Sequence, residues 1–290
     1  MRLFFAALFA AVSLSSLAAQ SSPDSFFAIL ADPQLGMYAK DKNFAQEKAN
    51  LEFVVANLNR LHPRFVVVCG DLVNRTGDLA EITEYKRILG ELDPSIHVYN
   101  VAGNHDVGNI PTPETLSAYR HSFGPDDYTF TEGSIFGIVL DSSLIGSPQG
   151  APDAAQRQQA WLRKTLADKQ EIAGRQIIVF QHIPYFLHDP AEPAQYFNIP
   201  QPARQTYLGL LINSGVRSIF AGHYHRNAVG TDGPLTQIVT GATGMPLGHS
   251  LSGFRLVAVQ GATLASTWYC LGGIPNQFDP QNPALTPCPQ

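Results

Sequence analysis

The sequence is poor in positive charge, in cysteine and in long apolar segments. Its 290 residues include 19 lysines and arginines against 24 aspartates and glutamates, which gives a formal net charge of −5. Because no basic stripe is present, we do not expect a nucleic-acid polymer as a partner. The three cysteines lack the paired spacing of a cysteine zinc site, so that class of site is excluded as well.

Only the N-terminal segment approaches the apolar length that a membrane span requires. Arg2 is followed by an apolar stretch, and small residues precede the polar segment "QSSPDS", which is the layout of a secretory signal peptide. A membrane anchor is the alternative, but Ser13, Ser15 and Ser16 interrupt the stretch short of the roughly 20 apolar residues needed. We therefore predict a cleaved signal peptide at 1–19, a secreted or periplasmic protein and no membrane span.

The remainder divides into a predicted domain at 24–270 and a Pro-rich C-terminal tail at 271–290. Cys69 lies in the apolar run "FVVVCGD", which predicts a small buried residue. Cys270 and Cys288 flank the tail, and in an oxidising compartment they are candidates for a disulfide. The pairing itself does not follow from sequence alone.

Apolar runs and helical patterns alternate along the first two thirds of the domain. Strands are predicted at 26–30, 65–69, 96–101, 135–140, 176–180, 218–220, 235–240, 254–260 and 262–269, and helices at 43–61, 78–92, 152–170 and 204–213. Strand–helix alternation favours a largely parallel sheet, and the strand-rich last third favours a second, mixed sheet. We predict an α/β fold in which two mixed sheets are flanked by helices as a four-layer α/β/β/α sandwich.

Polar side chains with metal-binding chemistry follow five of these strands. They are Asp32 and Gln34 in "ADPQLG", Asp71, Asn74 and Arg75 in "GDLVNR", Asn104, His105 and Asp106 in "GNHD", His182 in "FQHIP", and His223 and His225 in "GHYH". Taken singly, each cluster also fits a tight turn, a satisfied core histidine or a solvated strand edge. Because ligands of open α/β sheets bind at the carboxyl ends of strands, the ordered set of five predicts a metal site.

The residue types indicate the kind of metal site. Carboxylate oxygen, amide oxygen and imidazole nitrogen suit Mn, Fe, Zn or Mg. The candidates are too many for one ion, and a bridging carboxylate from Asp71 would join two ions about 3.5–4 Å apart. We therefore predict two divalent ions, which is the arrangement that clamps both oxygens of an in-line displacement at phosphorus.

The order D-x-Q, GDxxN, GNHD, H and GHxH resembles the calcineurin-like metallophosphoesterase superfamily. Within it, "ADPQLG", "CGDLVN", "GNHDVGNIPTPET" and "FQHIPYF" are similar to the subfamily of calcineurin-like phosphoesterase domain-containing protein one, which is described as a group of protein serine/threonine phosphatases. The similarity runs from Phe26 to Tyr269, and that subfamily also has Gln where most relatives have His. The resemblance implies a phosphoric ester hydrolase in which a metal-bound hydroxide attacks phosphorus.

The resemblance also implies a role for each residue of the site. Asp32, Gln34, Asp71 and His225 would hold the first ion, and Asp71, Asn104, His182 and His223 the second. His105 would be the general acid for the leaving oxygen, because imidazole titrates near neutrality. Arg75 would grip a phosphate oxygen through its planar guanidinium.

Two positions depart from the patterns of better-known relatives. Asn74 stands where phosphoprotein phosphatases have an Asp that orients the catalytic His, so we expect His105 to be a weaker acid or to have another partner. Purple acid phosphatases have Tyr at this position, which argues against that group. Gln34 offers a hard carbonyl oxygen, and we expect it to favour Mn, Mg or Fe over Zn in the first site.

Substrate and class remain open at this point. The resemblance favours phosphoproteins, whereas the signal peptide favours small phosphoesters or diesters such as nucleotides and lipid head groups. A non-catalytic protein that binds metal or phosphate is the alternative from another class. The loop that follows His182 carries Tyr185, Tyr196 and Phe197, which fit either substrate entry or simple loop packing.

Overall fold

The computed structural model describes residues 25–281, so the predicted signal peptide at 1–19 and Cys288 lie outside the described residues. The strands are β1 (Ser25–Leu30), β2 (Phe65–Val68), β3 (His97–Asn100), β4 (Tyr128–Glu132), β5 (Ile135–Val139), β6 (Gln176–Phe180), β7 (Ser218–Ala221), β8 (Ala228–Asp232), β9 (Leu235–Val239), β10 (Gly253–Gln260) and β11 (Thr263–Cys270). The α-helices are α1 (Ala45–Leu61), α2 (Leu79–Leu89), α3 (Asn104–Val107), α4 (Pro113–Phe123), α5 (Ser142–Gly146), α6 (Pro152–Ala167), α7 (Lys169–Ile172) and α8 (Gln201–Asn213).

The strands form two mixed sheets. The first has the order β11-β10-β1-β2-β3, in which β1, β2 and β3 are parallel and β10 and β11 are antiparallel to their neighbours. The second has the order β4-β5-β6-β7-β9-β8, with a parallel centre and an antiparallel strand at each edge. Parallel neighbours require crossover connections, which helices supply for every parallel pair except β7 and β9, whose connection contains β8.

Three apolar cores separate four layers. On β1, Phe27 and Ile29 point into the core between the sheets, whereas Ala28 and Leu30 point into the core beneath α1 and α2. This alternation follows from the two-residue period of a strand, and here both faces are buried. A third core packs the outer face of the second sheet against α6 and α8. The predicted four-layer α/β/β/α sandwich is confirmed.

Local sequence signals explain where several helices begin and end. The Asp78 carboxylate accepts hydrogen bonds from the backbone N–H groups of Ala80 and Glu81 and so caps the start of α2. The predicted helix at 152–170 is divided, because the Asp168 carboxylate accepts from Gln170 N and Glu171 N and so starts α7 as a separate turn.

The first part of the Pro-rich tail packs on the domain. The Phe278 ring lies 4.7 Å from that of Phe26 and 6.3 Å from that of Tyr269, measured between centroids. Arg60 of α1 donates to the carbonyl of Pro275 at 2.9 Å. The boundary at 270 stays a prediction, as does the Cys270–Cys288 pair, since Cys288 is outside the described residues. Within residues 25–281, no helix combines the length and apolarity of a membrane span.

A buried carboxyl group lies beside the second sheet, at the start of α5. Asp141 is fully buried, and its Oδ1 accepts from Ser143 N at 2.8 Å and from Leu144 N at 3.3 Å. Its Oδ2 has no hydrogen-bond partner among residues 25–281. Burial, together with the nearby charge of Asp126, raises the pKa of Asp141 to about 7.

We predict that Asp141 makes the protein less stable as pH rises from about 4 to about 7. In that window the folded state keeps the Asp141 proton while the unfolded chain, with its ordinary pKa, has lost it, so the free energy of unfolding falls with pH. Asp141→Asn keeps the Oδ1 acceptor and removes the titration. Urea unfolding at pH 5 and pH 8 should show a smaller loss for the variant, whereas equal losses in both proteins would contradict the assignment.

Candidate metal centre

The predicted ligands come from the carboxyl ends of five strands in both sheets. Asp32 and Gln34 follow β1, Asp71 follows β2, Asn104 starts α3 just after β3, His182 follows β6, and His223 and His225 follow β7. The parallel strands of each sheet deliver these ends to one edge, and the two sheets pack face to face. Residues far apart in sequence therefore meet at one end of the sandwich.

Two groups of potential ligands share one carboxylate. Ligand atoms of Asp71, His182 and His223 lie within 4.8 Å of one another, and so do those of Asp32, Asp71 and His225. All five side chains are buried. Asp71 is therefore the residue that the two groups of potential ligands have in common.

Contacts around Asp71 and Asp32 define the geometry. Asp71 Oδ2 lies 3.2 Å from His182 Nε2, while its Oδ1 accepts from the backbone N–H of His105 at 2.9 Å. Asp32 Oδ1 lies 3.2 Å from His225 Nε2, and both of its oxygens accept from the His223 N–H. The two carboxylates thus organise the loops that carry the imidazoles.

The charge balance of the centre favours cations. Burial alone would raise the pKa of Asp71, but His182, His105 and His223 bring it well below its usual range. Burial lowers the pKa of His182, but the Asp71 carboxylate outweighs it and raises that pKa to about 9. A buried pair of carboxylates that holds positive charge this strongly suits divalent ions.

The backbone is constrained at the same residues. Asp32, Gln34, Asp71, His223 and His225 all have a positive φ, between 39° and 69°. Non-glycine residues rarely occupy this left-handed region, and such conformations persist where the surrounding structure enforces them at functional sites. Sharp turns directly after the strands are what turn these side chains towards one another.

Gln34 presents an oxygen that has no protein partner. Its Nε2 donates to Asn74 Oδ1 at 3.0 Å, and Asn74 Nδ2 in turn donates to Asp41 Oδ1. The buried Gln34 Oε1 accepts no hydrogen bond from any residue between 25 and 281. An unsatisfied buried oxygen is costly, and a hard cation would satisfy it. The residues present therefore fit a divalent ion at this position.

His105 is oriented by a backbone group. Its Nδ1 lies 2.7 Å from the Asn74 carbonyl oxygen, whereas the Asn74 side chain turns to Gln34. The partner of His105 is therefore a main-chain carbonyl and not the Asn74 side chain, which agrees with the expectation that His105 has another partner. A carbonyl fixes Nδ1 as the donor and leaves Nε2 free.

Arg75 lies among carboxylates. Its guanidinium contacts Asp78, and its Nε lies 3.6 Å from Glu81 and 3.9 Å from Asp41. The side chain is 56% exposed. The predicted grip on a phosphate oxygen stays a prediction, and it requires the guanidinium to leave at least part of this acidic cluster.

Sequence reasoning gave no role to Asp106. Its carboxylate accepts backbone N–H bonds from Leu72, Val73 and Gly103, which ties the loop after β2 to the loop after β3. Burial and the neighbouring Asp71 raise its pKa to about 8. Asp106 is the only residue of "GNHD" that has a carboxylate. Its place in this motif is the sequence feature that could have indicated a contact with the backbone.

The loop after His182 divides its three aromatic residues between two places. Tyr185 is fully buried in the core of the second sheet. The Tyr196 carbonyl lies 2.9 Å from His223 Nε2, and its hydroxyl lies 3.4 Å from Asn104 Nδ2. Phe197 packs against the His223 ring at 5.7 Å between centroids. Tyr196 and Phe197 therefore border the centre, and Tyr185 does not.

Comparison with known proteins gives consistent matches over most of the chain. A family model described as "Calcineurin-like phosphoesterase" matches residues 27–227. The chain is 34% identical over 249 residues to "Serine/threonine-protein phosphatase CPPED1" of Danio rerio, covering 81% of each protein. It is 34% identical over 262 residues to the protein of that name from Homo sapiens, covering 85% of this chain and 83% of the relative.

Solved structures with the same fold are more distant in sequence. A dimetal phosphatase from Danio rerio has a TM-score of 0.58 at 18% identity, covering 83% of this chain and 98% of the other. A purple acid phosphatase from yellow lupin has a TM-score of 0.64 at 14% identity, covering 87% and 52%. "GAP50 the anchor in the inner membrane complex of Plasmodium" has a TM-score of 0.63 at 15% identity, covering 86% and 85%. At these identities the likeness concerns the fold.

We predict that Gly103→Ala disrupts the centre. A Cβ at Gly103 would lie 2.1 Å from Asp71 N and 2.2 Å from Asp71 Oδ1, so the Asp71 carboxylate would have to move. Metal content by mass spectrometry of the purified protein should fall by at least one ion per chain while far-ultraviolet circular dichroism stays unchanged.

Gly209→Ala is the matched control for this experiment. Gly209 lies inside α8, and no atom beyond its chain neighbours and the adjacent helix backbone lies within 4 Å of the added methyl group, so the substitution should leave metal content unchanged and slightly raise stability. Full metal content in Gly103→Ala would show that the close approach of Gly103 to Asp71 is not needed to hold the Asp71 carboxylate in place.

Proposed function

The chain belongs to the calcineurin-like phosphoesterase family of phosphoric ester hydrolases, and on that premise we propose that it is a dinuclear, metal-dependent phosphomonoesterase of the serine/threonine phosphatase type. The observation that carries this proposal is the pair of ligand groups that share Asp71, with His105 anchored to the same carboxylate. The named relatives at 34% identity support the choice of phosphoserine and phosphothreonine substrates.

The hydrogen bonds of the three proposed histidine ligands support one particular ring nitrogen of each as the atom that would bind metal. His182 Nδ1 faces the Cys69 carbonyl and His225 Nδ1 faces the Met245 carbonyl, which leaves both Nε2 atoms for metal. His223 Nε2 faces the Tyr196 carbonyl, which leaves Nδ1. A carbonyl partner on one ring nitrogen commonly fixes the other nitrogen for metal binding. The proposed sets are Asp32, Gln34, Asp71 and His225 for one ion, and Asp71, Asn104, His182 and His223 for the other.

Two divalent ions at these residues would supply an activated water and neutralise the charge of the phosphoryl group. The protein's own contribution is to position and to move a proton. Because His105 Nδ1 is held by the Asn74 carbonyl, its Nε2 is the atom that would protonate the leaving oxygen. The main-chain bond from His105 N to Asp71 keeps that ring at a fixed distance from the shared ligand.

The central experiment measures hydrolysis of 4-nitrophenyl phosphate and of a phosphoserine peptide with Mn, Mg, Fe or Zn. Metal-dependent turnover of both, abolished by Asp71→Asn, is the expected result, because that substitution removes the charge shared by the two proposed sets. Turnover that survives complete metal removal would contradict the proposal. Tight binding of two ions without any hydrolysis would favour the alternative of a non-catalytic metal-binding protein.

We predict that His105→Gln slows phosphoserine hydrolysis much more than 4-nitrophenyl phosphate hydrolysis. An alkoxide leaves poorly without a proton, whereas nitrophenolate leaves unprotonated, so only the first reaction needs the acid. The expected loss in kcat is about 100-fold or more for the peptide and markedly smaller for the aryl ester. His121→Gln, at an exposed histidine of α4, serves as the control with unchanged kcat. Equal losses on both substrates would remove His105 from the role of general acid.

We predict that Gln34→His shifts the metal preference of the protein towards zinc. An imidazole nitrogen is softer than the amide oxygen it replaces, and zinc accepts nitrogen ligands more readily than Mn or Mg does. Competition dialysis with equal Mn and Zn should give a higher Zn to Mn ratio in the variant. Stoichiometric, tightly held zinc in both sites of the wild-type protein would contradict the role given to Gln34.

A further inference from the structure

A cavity opens beside the second ligand group. Its volume is about 310 Å³, and His223 lies in its wall as well as in the group with Asp71 and His182. This size is at the lower end of the range for small-molecule sites, so it suits one or two amino-acid residues or a sugar. A phosphate held at the proposed ligands would lie next to this space, because His223 belongs to both.

Among residues 25–281, the cavity wall carries no acidic or basic side chain other than His223. The lining residues that concern substrate binding are Asn109, Ile110, Gln149, Gln195, Tyr196 and His223. A second phosphate or a carboxylate on the substrate would need a guanidinium or ammonium partner there. Since the lining offers none, a charged leaving group would lose hydration without compensation.

The residues at the rim of the cavity present apolar side chains and side-chain amides to the solvent. Ile110 is 53% exposed and Tyr196 is 58% exposed, which makes them two of the large apolar side chains that the described domain leaves in solvent. Gln149 and Gln195 are both exposed, so their side-chain amides are accessible to a peptide backbone. An apolar rim with accessible amides suits a peptide with small neutral side chains.

The loop that forms one wall is held firmly. The Glu192 carboxylate accepts from the backbone N–H groups of Leu187 and His188 and from Asn198 Nδ2. The buried Arg204 guanidinium donates to the carbonyls of Pro190, Glu192 and Ile199. These bonds fix Gln195 and Tyr196 at the cavity, so the wall is formed before substrate arrives.

Cations near the centre do not reach into the cavity lining. The Arg226 guanidinium lies over the Tyr224 ring at 4.5 Å, and Arg75 is paired with Asp78. Neither is among the lining residues. Among the described residues, the lining itself therefore contains no guanidinium or ammonium group.

We propose that this cavity binds the leaving-group side of the substrate and selects singly phosphorylated serine or threonine peptides whose neighbouring residues are uncharged. The inference rests on the proposed function, because it takes the phosphoryl group to be bound at the ligands around Asp71. It goes further by excluding acidic and multiply phosphorylated segments, which the uncharged wall disfavours.

The test compares kcat/KM of the metal-loaded protein on matched pentapeptides with one central phosphoserine. The neighbouring residues are alanines, glutamates or lysines in three peptides, and a fourth peptide carries a second phosphoserine. We expect the alanine peptide to exceed the glutamate, lysine and doubly phosphorylated peptides by about tenfold or more, because these three bring uncompensated charge into the cavity. Equal values for the four peptides would overturn the proposal.

A charge placed in the wall provides the second measurement. Gln195→Lys should reduce the preference for the alanine peptide over the glutamate peptide several-fold, because the new ammonium pairs with the carboxylates. Gln170→Lys, at an exposed glutamine of α7 that is not in the cavity lining, is the matched control and should keep the wild-type preference. The same preference in both variants would show that the cavity does not contact the leaving group.

Wild-type hydrolysis of 4-nitrophenyl phosphate separates the two levels of the account. Metal-dependent turnover of this ester without any preference among the peptides would overturn the cavity assignment and leave the proposed function standing. Failure to hydrolyse it with any of the metals would overturn both.

Discussion

The buried carboxylates of Asp32 and Asp71 are the constraint on which the rest of the site depends. Two negative charges in the interior of a protein require nearby positive charge or they must be protonated. Imidazoles supply part of that balance, since His182 and His225 each approach one carboxylate at 3.2 Å. Divalent ions would supply the rest of the positive charge. The buried Oε1 of Gln34 has no hydrogen-bond partner among residues 25–281 and could bind one of these ions. The composition of the centre is thus a consequence of electrostatics as well as of family membership.

The sandwich serves this constraint by bringing the strand ends of two sheets to one place. Short left-handed turns after β1, β2 and β7 turn the side chains of the candidate ligands towards one another. The backbone adopts unfavourable conformations at these turns. A layer of polar contacts behind the ligands then fixes their orientation. Asp106 joins two of the loops, and the Gln34–Asn74–Asp41 chain sets which amide atom of Gln34 faces the centre. Gln34 and Asn74 are the two positions that depart from better-known relatives. Here their side chains hydrogen-bond to each other.

The layers, and the meeting of the candidate ligand residues at one place, could be predicted from the amino-acid sequence because both depend on local patterns. Two-residue alternation and polar residues directly after strands are visible without any tertiary information. The edge strands β4 and β8 were missed, since their sequences mix glycine, threonine and acidic residues and their pairing is decided by neighbours. The hydrogen-bond partners of Asn74 and the ion-pair partners of Arg75 could not be predicted either, because they also depend on neighbouring parts of the fold. The choice between a backbone carbonyl and a side-chain amide for His105 depends on how two separate loops pack.

The most direct test of the central claim is anomalous diffraction from crystals of the protein grown with manganese. The account predicts two peaks, both in contact with Asp71, with Gln34 Oε1 and His225 at one ion and Asn104, His182 and His223 at the other. A single peak, or a Gln34 side chain turned away from both ions, would contradict it.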